Sequence, residues 1–285
     1  MNNNIFKDIA TEEVINKLRS MGIKFNKKQF LKDVNAFYSA DDISKHWRKK
    51  YMIIIEEDWE DDFIWKAALF LWEKFAPKIV NTEKLDDMMQ EGYELIEREK
   101  YIEGTELWLD LWEHLKKRFT SDMKSISEAE VVFPGMMQSL FNWCQDFDVA
   151  LENAGSEDPS FYKKRIEYCN TFCSLFPESN ELIIHNMKRA EADSYFHLGE
   201  TQKGDKLFEK MIDDFPDSVW GYLGWGDMYG IIRLNEKVPI DYKKANKIYR
   251  DGLKNVKDQT ERKYLLERLE SLEKMKKKGD KTKKS

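Results

Sequence analysis

The chain has 285 residues, with 47 basic and 53 acidic side chains, 41% apolar residues and 13% aromatics, enough for a sizeable hydrophobic core. Its 6 prolines and 13 glycines are too few for the turns of an all-β sandwich or barrel, and 9 tryptophans with 17 phenylalanines exclude intrinsic disorder for the body. Charge divides unevenly: Lys274 to Ser285 holds seven lysines and one aspartate, a net +6, which leaves −12 on the rest of a chain whose total is −6. An acidic body repels phosphate-rich surfaces, so contact with nucleic acid is expected to be weak and confined to this end.

The opening MNNNIFKDIATEE has neither a basic n-region nor an apolar h-region, so no secretory signal is expected. The longest apolar run, Phe63 to Trp72, contains Lys66 and is shorter than the ~20 residues of a membrane span. Three cysteines, Cys144, Cys169 and Cys173, make no disulfide framework. The expectation is a soluble cytoplasmic protein without membrane contact.

A first helix is predicted from Val14, Ile15, Leu18 and Met21, with Thr11 as N-cap and Gly22 as stop. A second carries Phe30, Leu31, Val34, Phe37 and Tyr38. Ser39 with Asp42 reads as a capping-box variant opening a third helix that holds Ile43 and Trp47. The acidic run Glu56 to Asp62 precedes a nearly all-apolar helix, Phe63 to Phe75, which Pro77 ends. Further on, helices near Met136 to Leu151 and Phe161 to Phe176 are separated by AGSEDPS, read as a loop.

Internal repetition carries the most information. Leu175-Phe176-Pro177-Glu178-Ser179 recurs 39 residues later as Asp214-Phe215-Pro216-Asp217-Ser218, and a helix follows each proline. Two helices per unit at a period in the thirties describe a helical solenoid. Small Ala192 and bulky Tyr195 fall on one helix, and Gly204, Phe208 and Met211 on the next. Trp220-Gly221-Tyr222, Trp225-Gly226 and Tyr229 open another unit, which Ala245, Tyr249 and Gly252 complete. Gly226 and Ala245 are 19 apart where Ala192 and Gly204 are 12 apart, so Ile231 to Asp241 reads as a longer connecting loop. Gly92, Leu95, Gly104, Trp108 and Leu111 form a fainter copy.

On these residues the stretch from His185 to Pro216 resembles a tetratricopeptide repeat. Arg165 to Cys169, Leu175 to Pro177, Ile183 to Met187 and Trp220 to Tyr229 also look like uncharacterised bacterial tetratricopeptide-like proteins, many of which end in a SEC-C zinc knuckle. No cysteine follows Cys173, so that knuckle and its zinc are not carried over. The resemblance implies an all-α fold: a right-handed solenoid of antiparallel helix pairs over 77–273, preceded by a small helical region at 1–76 and followed by a disordered lysine-rich tail at 274–285.

It also implies where a ligand would lie. The first helix of each pair faces a concave surface, and the matching positions are Asn186, Arg189, Asp193 and His197, then Trp220, Leu223 and Asp227. Trp220 would be an aromatic anchor, with Arg189 and Asp193 setting polarity. One arginine among two aspartates suits a mixed or basic peptide.

Motifs for chemistry are missing. There is no Walker loop, GxGxxG, HExxH or nucleophile elbow, and the glycines of WGYLGWGD fall where paired helices must approach closely. Cys169 and Cys173 share a helix face and read as small fillers between helices rather than as half of a metal site. The adjacent pairs Asp61-Asp62, Asp86-Asp87 and Asp213-Asp214 point in different directions and read as solvated helix ends. The expectation is a non-enzymatic module, without metal or cofactor, that binds a protein or peptide segment. The alternative is a translation- or secretion-associated factor that touches ribosomal RNA through its lysines.

Overall fold

The computed structural model describes residue 6, residues 9–230 and residues 238–282, with side chains as far as Lys276. Among these residues there are fourteen α-helices and no strand, so the protein is an all-α helical repeat protein. It divides into two compact units. One comprises Met1–Glu94, Leu107–Arg118 and Val132–Gln138, the other Leu95–Glu106, Phe119–Val131 and Ser139–Ser285. The first therefore takes in more chain than the 1–76 expected.

In the first unit, α1 (Thr11–Ser20), α2 (Lys27–Phe37) and α3 (Ala40–Lys50) pack on α4 (Asp58–Phe75). Ala10, not Thr11, occupies the N-cap of α1. Helix α4 begins five residues before Phe63 because Glu57 and Glu60 form a reciprocal capping box. Glu60 also pairs with Lys17 of α1. That bond, first, and the backbone N–H of Glu56 hold its carboxyl below the usual range. Ile64, Ala67, Ala68, Leu71 and Trp72 are all buried, and the Trp72 indole donates to the Ile79 carbonyl at 2.6 Å. Tyr38 caps α2 in the left-handed region, and Ser39 caps α3 as predicted.

The second unit is built from helix pairs. After the short α7 (Ile126–Glu130) come α8 (Leu140–Glu157) and α9 (Ser160–Leu175), α10 (Glu181–His197) and α11 (Thr201–Asp214), then α12 (Val219–Gly230) and α13 (Tyr242–Asn255). Helix α14 (Gln259–Thr282) packs on the last pair. Each pair coincides with a unit read from the sequence. The fainter copy around Gly92 and Trp108 falls on α5 (Thr82–Glu97) and α6 (Tyr101–Lys116). First helices also touch one another in succession, α8 to α10 to α12 to α14.

Two expectations change. AGSEDPS is not a loop through most of its length: α8 continues to Glu157, and Gly155 lies against the Tyr162 ring. The lysine-rich end continues α14 as helix to Thr282 rather than beginning a disordered tail at 274. Most of the expected loop Ile231 to Asp241 lies outside the described residues.

The glycines of α12 and α13 show why this pair packs so closely. A Cβ on Gly226 would collide with the Tyr249 ring, and one on Gly252 would lie 2.8 Å from Cγ of Tyr222. Each helix thus gives up a side chain to admit the other's tyrosine, and both rings are buried.

Candidate functional site

Successive first helices bring side chains that are distant in sequence into one row. Asn186 of α10 donates from Nδ2 to Gln145 Oε1 of α8 at 2.9 Å. One helical turn on, the Arg189 guanidinium stands 5.9 Å from the centre of the Trp220 ring of α12, within the range of a cation–π contact. Trp220 in turn lies 6.3 Å from the Tyr264 ring of α14, tilted at 33°. Arg189 and Trp220 are partly exposed, and Tyr264 is 41% exposed.

Gly224 sets the position of Arg189. A Cβ there would sit 3.1 Å from Cγ and Cδ of Arg189 and 2.9 Å from Cε1 of Phe208. The arginine stem therefore occupies space that any larger residue would take, and its charged end is carried toward Trp220. No described carboxylate lies within ion-pair distance of Arg189.

Of the other expected strip residues Leu223 and Asp227 are drawn into packing, while Asp193 and His197 are half-buried, as Arg189 and Trp220 are. Leu223 is 6% exposed and belongs to the core formed with Phe208, Tyr249 and Leu265. Asp227 is buried, accepting the Tyr249 hydroxyl at 2.6 Å and Arg268 Nε at 2.9 and 3.1 Å. His197 stacks on Tyr162 at 4.3 Å and 12°, and burial lowers its pKa to about 4, so the ring is neutral at pH 7. Asp193 Oδ1 is shut off from solvent without a hydrogen-bond partner among the described residues. Burial pushes its carboxyl up to about 7, against the opposing pull of Arg165 and Arg189.

Behind Asp193 lies a buried ion cluster that sequence reading missed. Arg165 of α9 donates to both oxygens of Asp148 at 2.7 and 3.2 Å, and to Glu152 at 2.8 Å. Burial opposes the Arg165 charge, but these two carboxylates more than offset it and raise its pKa. The fork matches a carboxylate in two bonds, a geometry lysine cannot supply. Cys144 and Cys169 are buried nearby in the same helix pair. Burial pushes the Cys144 thiol up to about 12 and the half-covered Cys173 up to about 11, so neither is a thiolate at pH 7. Among the described residues no group of three His, Cys, Asp or Glu side chains is placed to hold a metal ion.

Two of the acidic pairs are held in surface ion pairs. Asp61 takes Arg48 and Asp62 takes Lys66, while Asp214 accepts from both Lys188 and Lys210. No described helix is long and apolar enough to cross a membrane.

Of the seven strip residues, then, the row retains Asn186, Arg189 and Trp220, and it adds Gln145 and Tyr264. Comparison with family models, with curated proteins and with solved structures finds no match to the chain.

Proposed function

We propose that the protein is a non-enzymatic interaction module whose second unit receives a protein or peptide segment across Asn186, Arg189, Trp220 and Tyr264. The observation that carries this reading is the row of Arg189, Trp220 and Tyr264, one residue from each of three consecutive first helices, with Trp220 beside each of the other two and all three partly open to solvent. Aromatic and arginine side chains at such positions are the residues that most often dominate binding energy. Tetratricopeptide-like repeats present ligand surfaces on the same helices, which supports the reading by analogy of fold. Unpaired cysteines suit a reducing compartment, and we place the module in the cytoplasm.

The test is quantitative capture of a binding protein by the full chain and by variants verified as folded by circular dichroism. Trp220→Ala and Tyr264→Ala should each weaken capture of the same species by more than ~1 kcal/mol. Leu266→Ala, exposed on α14 but two residues on from Tyr264 and so on another side of that helix, should not. Equal capture by all three variants overturns the proposal. Removal of residues 274–285 separates it from binding through the lysine end: groove capture survives the deletion, and capture of ribosomal RNA does not.

A further inference from the structure

The first unit holds a cavity of about 630 Å³ that the interaction row does not use. Helix α4 lines it with Asp62, Trp65, Lys66 and Leu69, spaced i, i+3, i+4 and i+7 and so on one stripe of the helix. Helix α5 lines it with Glu83, Asp86 and Asp87, three neighbours on one face. Asp41, in the first turn of α3, adds a fifth carboxylate. Against these acids the lining carries one ammonium, that of Lys66. Asp86 and Asp87 read from the sequence as solvated acids pointing apart; both belong to the wall of one cavity.

We propose that this cavity binds a linear aliphatic polyamine. Two of its acids already have a cation: Asp41 pairs with Lys45, and Asp62 with Lys66 at 3.2 Å. Glu83 and Asp86 have only neutral hydrogen-bond donors among the described residues. Glu83 Oε1 accepts the Asp41 backbone N–H at 2.8 Å, the Ser39 hydroxyl at 2.9 Å and the Trp65 indole N–H at 3.5 Å. Its Oε2 is shut off from solvent without a partner there. Asp86 Oδ1 accepts the Met137 backbone N–H at 2.9 Å and the Gln90 amide at 3.5 Å. Arg118 attracts Glu83 through space, but its own donors go to Thr82 and to the carbonyls of Tyr38 and Val80. A cation entering the cavity would offset the charge these carboxylates keep.

The arrangement selects the kind of cation. Among the described residues no three acids converge closely enough to hold a metal ion. They are distributed along two helices instead, which suits a ligand whose charges are also distributed, as ammonium groups joined by methylenes. Each ammonium brings several donors to carboxylate oxygens, and such bonds are the strong ones. The methylenes between them have Trp65 and Leu69 to cover, as lysine stems do on apolar surface. A quaternary ammonium lacks those donors and is held by an aromatic cage, whereas the aromatic lining here is Trp65 and Phe6. The volume falls within the ~300–1,000 Å³ of cavities that enclose small molecules.

The test is isothermal titration calorimetry on the full chain in about 0.15 M salt, where charges more than about 8 Å apart are largely screened. The probes are spermidine, butylamine, tetramethylammonium, magnesium and N-acetyl-lysine amide. Spermidine should bind about tenfold tighter than butylamine, and tighter than each of the others. Asp86→Asn with Asp87→Asn should weaken spermidine by about tenfold, and Trp65→Leu should weaken it too, in chains verified as folded by circular dichroism. Glu83→Gln, whose amide oxygen still takes the Ser39 and Asp41 donors, should also weaken it. Glu209→Gln with Glu270→Gln removes as much charge as the double aspartate change from exposed positions in the second unit, and should leave the affinity unchanged.

An equal loss from the two glutamate changes would reveal general attraction to an acidic chain and overturn the site. Spermidine binding that ignores Asp86, Asp87 and Trp65 overturns it as well, and so does no binding at all. Magnesium bound as tightly as spermidine would make this a metal site. Equal affinity for tetramethylammonium would remove the ammonium hydrogen bonds, and equal affinity for the lysine amide would assign the cavity to a side chain of a protein partner. Each of these three results overturns the polyamine, and none of them bears on the row of Arg189, Trp220 and Tyr264.

Discussion

Tyr249 donates its hydroxyl to Asp227 at 2.6 Å, across the space that Gly226 leaves open, and the same carboxylate holds Arg268 of α14. Three helices are thereby tied through one buried acid. Tyr249→Phe keeps the ring and removes the bond, so it should cost about 1.5–3 kcal/mol in urea unfolding, the range for hydrogen bonds to charged groups. Gly226→Ala should cost more than Tyr249→Phe, because its methyl meets the ring itself. Adding Tyr249→Leu to Gly226→Ala should recover part of that loss, since the smaller side chain makes room for the methyl.

Arg165 and Asp148 form a buried pair in which each is the other's main compensation. Removing one leaves an uncompensated charge, so Arg165→Met should lower stability by about 3–5 kcal/mol. The double variant Arg165→Met with Asp148→Leu should lie much closer to the parent. A urea series on the two singles and the double measures this directly. Arg165→Lys should fail to restore the parent, because an ammonium cannot reproduce the two-pronged bond.

The Asp193 carboxyl ionises at about 7 in the folded chain against an ordinary value of 3.8. Over that window the folded state keeps a proton that the unfolded chain has lost. Stability from this group is therefore highest at and below pH 4, falls as pH rises toward 7 and levels off above it. Asp193→Asn should remove this component of the pH dependence: thermal midpoints of variant and parent should converge at pH 4, and the variant should melt higher at pH 8. A midpoint below the parent's at pH 8 would show that the ionised carboxylate is stabilising.

Much of the architecture is readable along the chain because its determinants are local. A small residue facing an aromatic ring marks each helix pair, Gly92 with Trp108, Gly204 with Phe196 and Gly226 with Tyr249, and both members lie within one pair, although their spacing and their order along the chain vary. Caps such as Ser39 act within three residues of where they stand. AGSEDPS misleads because glycine, serine and proline usually mark loops, whereas Gly155 is there to meet Tyr162. The row is harder to read. Gln145, Asn186, Arg189, Trp220 and Tyr264 come from four helices, and nothing near Tyr264 in the sequence announces its neighbour on α12. Asp227 looks like a surface acid until Arg268, 41 residues away, is folded against it.

Gly224 makes the same missing atom serve the interior, through Phe208, and the surface, through Arg189. On the proposed function, selection for packing and selection for recognition act on a single codon. Neither can be relaxed while the other holds. Among proteins descended from a common ancestor with this one, alanine at this position should be found only where the phenylalanine and the arginine have both given way to smaller residues, so that loss of recognition leaves a three-site signature of coupled drift.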